Sequence, residues 1–298
     1  MKSMALENLG SNRDCGLLLV GHGTRDQRGS AEFLAVARRV AELARNFRVA
    51  PCFLELAEPD ISTGVKQLIE GGVRELIIAP LMLFAAGHVK RDIPRAVQEA
   101  LIENIPNEAD RVGRLPASNR NERTVKYVSA LECDPHVLAL SCQRFDEALA
   151  GKPMVDPSET LLILVARGSS LPEATAMMHS FGELRRRFAP AARVDVCFVA
   201  KAQPSLKTAL ARAARSSFRR VVVQPHLLFA GQVLEEVKQT LERICAQRES
   251  LVADARDISP QARWLNREWI LTNHLGPSPL IAEAIEELAT AAIRMDLA

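Results

Sequence analysis

At 298 residues, with 38 Lys and Arg against 36 Asp and Glu for a net charge of +2, the chain is long enough for two domains with cores of their own. Hydrophobic residues make up 48% and charged residues 25%, the mix of a globular protein; the balanced charge argues against a dedicated nucleic-acid surface, and 10 Phe, 2 Trp and 1 Tyr are too few for a base-stacking platform. No apolar run reaches membrane-spanning length and MKSMALENLGSNRDCG lacks the apolar segment of a signal peptide, so a cytoplasmic protein that engages neither nucleic acid nor membrane is expected. Cys15, Cys52, Cys133, Cys142, Cys197 and Cys245 contain no C-x-x-C pair and are read as reduced, mostly buried thiols.

In chain order, LLLVGHG (17–23) reads as a short buried strand ending at a glycine turn. SAEFLAVARRVAELARNF (30–47) has apolar residues at helical spacing, with Ser30 as N-cap. VAPCFLELA (49–57) is a second strand and DISTGVKQLIEGG (60–72) a helix closed by a glycine pair. ELIIAPLML (75–83) is a third strand, followed by RDIPRAVQEALIEN (91–104), a helix opened by Asp92 as N-cap and Pro94. DPHVLALSCQRFDEALAG (134–151) ends the series as another helix.

The same order then returns. Shifted by 145, GLLLVGHGTR lies on LLILVARGSS, CFLELAEPDI on CFVAKAQPSL and VRELIIAPLMLFA on FRRVVVQPHLLFA; after a one-residue gap the shift is 144, and Gly87-His88-Val89 meets Gly231-Gln232-Val233. One register held from about residue 17 to the C-terminus makes the chain two copies of one unit. The turn formers of GKPMVDPS (151–158) mark the boundary, giving domains 1–151 and 152–298. Continuously apolar strands alternating with helices predict α/β domains, each a parallel sheet flanked by helices, with a cleft between the two.

Ligands of parallel α/β sheets gather at the carboxyl ends of the strands, where this sequence places His22, Glu55, Glu58 and His88. For His22 alone, a histidine that merely closes a strand end competes with a functional group. A phosphohistidine is the third reading, although that chemistry ordinarily wants an Arg before the His and Gly21 stands there. In the second copy the four positions hold Arg167, Ala200, Gln203 and Gln232, while the Phe, Pro and Gly of the frame are kept. One functional site in the first copy is the economical conclusion. Two imidazoles and a carboxylate suit an exchangeable divalent transition metal, or proton acceptance near neutral pH. His226, opposite Leu81, is read as a structural histidine, and the arginine runs at 185–187 and 219–220 as exposed charge.

LLLVGHGTRDQRG, FLELAEPDI and APLMLFAAGHVKRDIP together resemble the signature segments of the class II tetrapyrrole chelatases, and most of all the sirohydrochlorin cobaltochelatase and ferrochelatase group, whose long form is also two repeats. The resemblance implies a metal-inserting lyase that places a divalent cobalt or iron ion in sirohydrochlorin or a related metal-free tetrapyrrole, in cobalamin or sirohaem biosynthesis, with cobalt favoured. It implies His22 and His88 as catalytic and metal-binding residues and Glu55 as the acidic residue near the metal. It implies no permanently bound cofactor, the metal being substrate. The carboxylates around such a macrocycle give Arg25, Arg28, Lys90 and Arg91 a substrate-binding role, against solvated loop charge as the alternative. A non-catalytic tetrapyrrole or metal carrier is the competing function. Two fused copies in place of a dimer make a monomer the preferred state.

Overall fold

The computed structural model describes residues 14–85, 87–104, 123–254 and 267–294. Its strands form two separate four-stranded sheets, both wholly parallel. The first is ordered β2 (Arg48–Phe53), β1 (Cys15–Gly21), β3 (Glu75–Pro80), β4 (Thr124–Tyr127). The second is ordered β6 (Arg193–Phe198), β5 (Thr160–Ala166), β7 (Arg220–Pro225), β8 (Glu268–Leu271). The internal repeat is carried into the pairing itself. Leu17 pairs with Val49 as Leu162 does with Val194, and Leu18 with Ile78 as Ile163 does with Val223. Glu75 pairs with Thr124 and Arg220 with Glu268, so the offset passes from 145 to 144 between the third and fourth strands, as the sequence register does.

Strands β1 and β5 are buried along their whole length, which requires cover on both faces of each sheet. On one face of the first sheet, Leu18, Val20, Cys52 and Ile78 pack with Val65 and Leu68 of α2 (Ile61–Glu70) and with Ile93 and Val97 of α3 (Ile93–Glu103). The matching layer of the second sheet joins Ile163, Val165, Cys197 and Val223 to Leu206 and Leu210 of α6 (Leu206–Ala214) and to Val237 and Leu241 of α7 (Gln232–Asp254). Each fully buried Val, Leu or Ile of these layers contributes about 1.5–3 kcal/mol.

The compact units do not follow the repeat boundary. One comprises Met1–Arg25, Phe33–Leu131 and Ile281–Ala298, the other Asp26–Glu32 and Glu132–Leu280. Helix α4 (Pro135–Leu149), which closes the first repeat in sequence, belongs with the second sheet, where Gln224 Nε2 of β7 donates to Ser141 O at 2.7 Å. Helix α8 (Pro279–Arg294), which closes the second repeat, belongs with the first, where Lys126 Nζ of β4 donates to Ala292 O at 3.1 Å. The first turn of α1 (Gln27–Leu43) groups with the second unit, in which Glu32 accepts from Ala230 N at 2.7 Å and lies 3.1 Å from His274 Nε2.

Several local expectations are corrected. Helix α1 starts three residues before Ser30, because Asp26 caps it: its Oδ1 accepts the Arg28 N–H at 2.9 Å and its carbonyl accepts Ser30 N–H at 3.2 Å. Asp92 makes no side-chain cap; it is helical, the last residue of a π-helical turn, His88–Asp92, that runs into α3. The edge strands β4 and β8 are additional elements, four residues each and half exposed, too short for an alternation to show. Arg186 and Arg219 are exposed as expected, but Arg185 is fully buried, and Arg220 is buried in an ion pair to Glu268 at 2.7 Å.

Arg185 belongs to a buried polar cluster in the second unit. Arg185 Nε of α5 (Pro172–Arg186) donates to Ser141 Oγ at 3.1 Å, its guanidinium lies 5.4 Å from the centre of the Phe145 ring, and both terminal nitrogens lack a hydrogen-bond partner among the described residues. Gln224 and His226 complete the cluster, the His226 ring 4.2 Å from that of Phe181. The first unit holds Val40, Ile285, Ala79 and Leu81 at the four matching positions, all buried and all apolar.

Burial holds the His226 pKa down to about 3, so its imidazole is neutral in the folded protein. The unfolded chain, with an ordinary histidine near pH 6.5, takes up a proton that the folded one refuses, so stability falls as the solution is acidified below about pH 6.5. His226→Leu, which installs the residue of the first repeat, is expected to remove that contribution. Urea denaturation should show the variant gaining about 2 kcal/mol on wild type between pH 7 and pH 5. A difference that does not change with pH would contradict it.

Candidate functional site

The turns that follow β1 and β2 are locked together by backbone hydrogen bonds. Leu54 N donates to Gly21 O at 2.9 Å and Glu55 N to His22 O at 3.1 Å, which extends the strand pairing past the end of the sheet. Gly23 follows with φ +93°, and a Cβ there would stand 1.6 Å from Glu55 O. Only glycine allows this approach, and it is the approach that sets His22 beside Glu55. The second unit repeats the frame: Val199 N donates to Ala166 O at 3.0 Å, Ala200 N to Arg167 O at 2.9 Å, and Gly168 has φ +89°. Leu56 and its counterpart Lys201 are both left-handed, at φ 65° and 60°.

On this frame His22 Nδ1 lies 3.5 Å from Glu55 Oε1, with the imidazole 27% and the carboxylate 48% exposed. His22 Nδ1 also lies 3.3 Å from the Gly23 carbonyl oxygen; with two acceptors against it, the neutral ring carries its proton on Nδ1 and its lone pair on Nε2. Such a pair places a negative charge and a nitrogen donor side by side, a combination that suits a dication. Among the described residues no third His, Cys, Asp or Glu joins them in a metal-holding group.

Glu58 has a different task. Its Oε2 accepts the Asp60 N–H at 3.0 Å, and Gln203 Oε1 accepts the Ser205 N–H at the same distance in the second repeat. The Glu-to-Gln difference therefore keeps a turn-closing oxygen and is not a lost site residue. The signal was available in the sequence, since both side chains carry a carbonyl oxygen at the same branch. Three differences remain at the strand ends: His22 to Arg167, Glu55 to Ala200 and His88 to Gln232.

His88 opens the π-helical turn after β3, just as Gln232 opens α7; its side chain, and with it the expected facing of two imidazoles, lies outside the described residues. Of the four cations, Arg25, Lys90 and Arg91 are exposed, with the Arg91 guanidinium folded back over Gly87. Arg28 is engaged elsewhere: it pairs with Asp26 at 2.9 Å and with Glu235 at 3.2 Å. These two carboxylates raise its pKa further, and Asp26 in turn is held below the usual carboxylate range by the Arg28 guanidinium. No thiol is in a disulfide; Cys15, Cys52 and Cys197 are buried, and burial pushes the Cys15 and Cys197 thiols up to about 12.

Fold and site together define a two-repeat parallel α/β protein whose strand ends carry a histidine–carboxylate pair in one repeat only. The CbiX family model matches residues 16–148 and again 161–292, and the chain belongs to that family. It is 29% identical over 236 residues to a sirohydrochlorin ferrochelatase of Priestia megaterium, covering 79% of this chain and 81% of that one. It is 26% identical over 237 residues to a sirohydrochlorin cobaltochelatase of the same organism, covering 79% and 71%. Among solved structures, SirB from Bacillus subtilis with Fe3+ superposes with a TM-score of 0.72 at 22% identity, over 95% of this chain and 97% of that one, a likeness of fold. No helix among the described residues is long and apolar enough to cross a membrane.

Proposed function

We propose that this chain is a sirohydrochlorin chelatase, inserting divalent cobalt or iron into the metal-free macrocycle at the strand ends of its first repeat. The observation that carries the proposal is the His22–Glu55 pair, 3.5 Å apart, on a turn frame that the second repeat keeps while holding arginine and alanine in their places. Insertion needs a partly dehydrated ion, two pyrrole protons removed and a macrocycle held with its nitrogens toward the ion. His22 and His88 are the proposed donors to the ion and acceptors of the protons, and Glu55 supplies the charge that favours both. Arg25, Lys90 and Arg91 are proposed to hold the carboxylates of the macrocycle. Arg28 stands behind them in this role, because a substrate carboxylate would have to displace Asp26 or Glu235.

Imidazole and carboxylate donors accept cobalt(II) and iron(II) alike, and the family relatives are named for both ions. The resemblance that favoured cobalt makes it the first ion to test, and its kinetic comparison with iron(II) sets the preference and with it the cobalamin or sirohaem assignment. The proposed setting is cytoplasmic and the proposed state a monomer without resident cofactor. The competing carrier function is separated from catalysis by one measurement. Sirohydrochlorin in large excess over protein, mixed with either ion and followed by its absorption, is expected to be metallated through many turnovers. A shift that stops at one equivalent of protein would mean a carrier.

A further inference from the structure

The strand ends of the second repeat are not simply an emptied copy of the first. Position by position on the same backbone frame, His22 is replaced by Arg167, Leu34 by His179, Glu55 by Ala200, Leu56 by Lys201 and Glu58 by Gln203. Two carboxylates disappear and two permanent cations appear, while Arg25 becomes Ser170. The frame fixes where the new groups stand. Leu56 and Lys201 share the left-handed conformation, and Leu56, a large apolar side chain 52% exposed, marks the place that the lysine takes in the second unit.

An open hollow of about 420 Å³ lies at this position in the second unit, between the turn after β6 and the first two turns of α5. Its polar lining residues are Ser169, Ser170, Thr175, His179, Lys201 and Gln203, and none of the residues lining it is acidic. The His179 ring is set edge-on against Phe198, 5.6 Å between centres. Neither Lys201 nor Arg167 forms an ion pair among the described residues. The volume falls near the lower end of the roughly 300–1,000 Å³ of small-molecule sites, enough for a compact polycarboxylate and too small to enclose a tetrapyrrole.

We infer that the remodelled strand ends of the second repeat form a binding site for a carboxylate-rich anion, held by Lys201 and by the hydroxyls of Ser170 and Thr175. The site goes beyond the proposed chelatase reaction and needs no metal. Carboxylates of this kind come from two sources, a free polycarboxylate or the rim of a tetrapyrrole that inserts only its acidic arms. Calorimetric titration of the full chain, metal-free and at low ionic strength, with citrate and separately with the octacarboxylate uroporphyrin distinguishes them. Lys201→Leu, which restores the residue of the first repeat, is expected to weaken binding about tenfold, the scale of one charge-assisted contact, and Lys201→Arg to recover it. Lys201-dependent citrate binding assigns the site to a free polycarboxylate; Lys201-dependent binding of uroporphyrin alone assigns it to tetrapyrrole arms. Binding of neither anion, or the lack of any Lys201-dependent part in the binding of either, overturns the inference. His22→Ala is expected to leave the citrate titration and the Lys201-dependent part of the uroporphyrin titration unchanged whatever it does to metal insertion, so the two proposals fail separately; a loss of either in that variant would refute the placement in the second repeat.

Discussion

His22→Ala is expected to slow metal insertion by about 10²–10⁴-fold, the usual contribution of a positioned proton acceptor, while leaving the fold intact. The imidazole is partly exposed and stands beyond the end of β1, so truncation opens no cavity in the core. What holds the turn is backbone, the Glu55 N–H to His22 carbonyl bond and the Leu54 N–H to Gly21 carbonyl bond, and alanine keeps both. His88→Ala is expected to be comparably damaging. Glu55→Gln, which removes the charge and keeps the shape, is expected to cost less, about tenfold, because it acts through charge next to a group that remains. Arg167→Ala in the second repeat is the control and should be mild. Steady-state insertion into sirohydrochlorin, with circular dichroism to verify folding, measures all four. If Arg167→Ala proved as damaging as His22→Ala, the assignment of one site to the first repeat would fall.

Much of this architecture could be read from the chain before its structure. Buried parallel strands need apolar residues at every position, and the one-residue gap in the repeat reappears as a changed offset between the third and fourth strands. Short edge strands were illegible, since four half-exposed residues leave no period to count. The grouping of α4 with the second sheet and α8 with the first was illegible for another reason: an amphipathic helix specifies that it will be covered, not which sheet will cover it. Arg185 is instructive because its signal was present. Ala174, Met178, Phe181 and Arg185 recur at helical spacing, so the arginine lies on the apolar stripe of α5, although its neighbours Arg186 and Arg187 are exposed. The His22–Glu55 pair was suggested by its place at neighbouring strand ends, whereas the turn-closing role of Glu58 became visible only when both repeats showed the same hydrogen bond.

Gly23→Ala and Gly168→Ala are expected to cost similar stability and very different activity. A Cβ at Gly23 would stand 1.6 Å from the Glu55 carbonyl oxygen, and one at Gly168 would stand 1.9 Å from that of Ala200, far inside van der Waals contact and against backbone in both cases. Both glycines are also left-handed, at φ +93° and +89°, where an L-residue adds strain of about 1–2 kcal/mol. Relief requires the facing strand end to retreat, which breaks the hydrogen bond from Glu55 N in one repeat and from Ala200 N in the other. With that loss, about 3 kcal/mol of destabilisation or more is expected for each variant in urea denaturation. The retreat in the first repeat also draws Glu55 away from His22, so Gly23→Ala should lose nearly all insertion activity even where the protein is folded. Gly168→Ala moves Ala200 and Arg167, which have no part in the proposed reaction, and should keep most of its turnover per folded molecule. Equal loss of turnover in the two folded variants would mean that the chemistry depends on both repeats and that the economy of a single site is wrong.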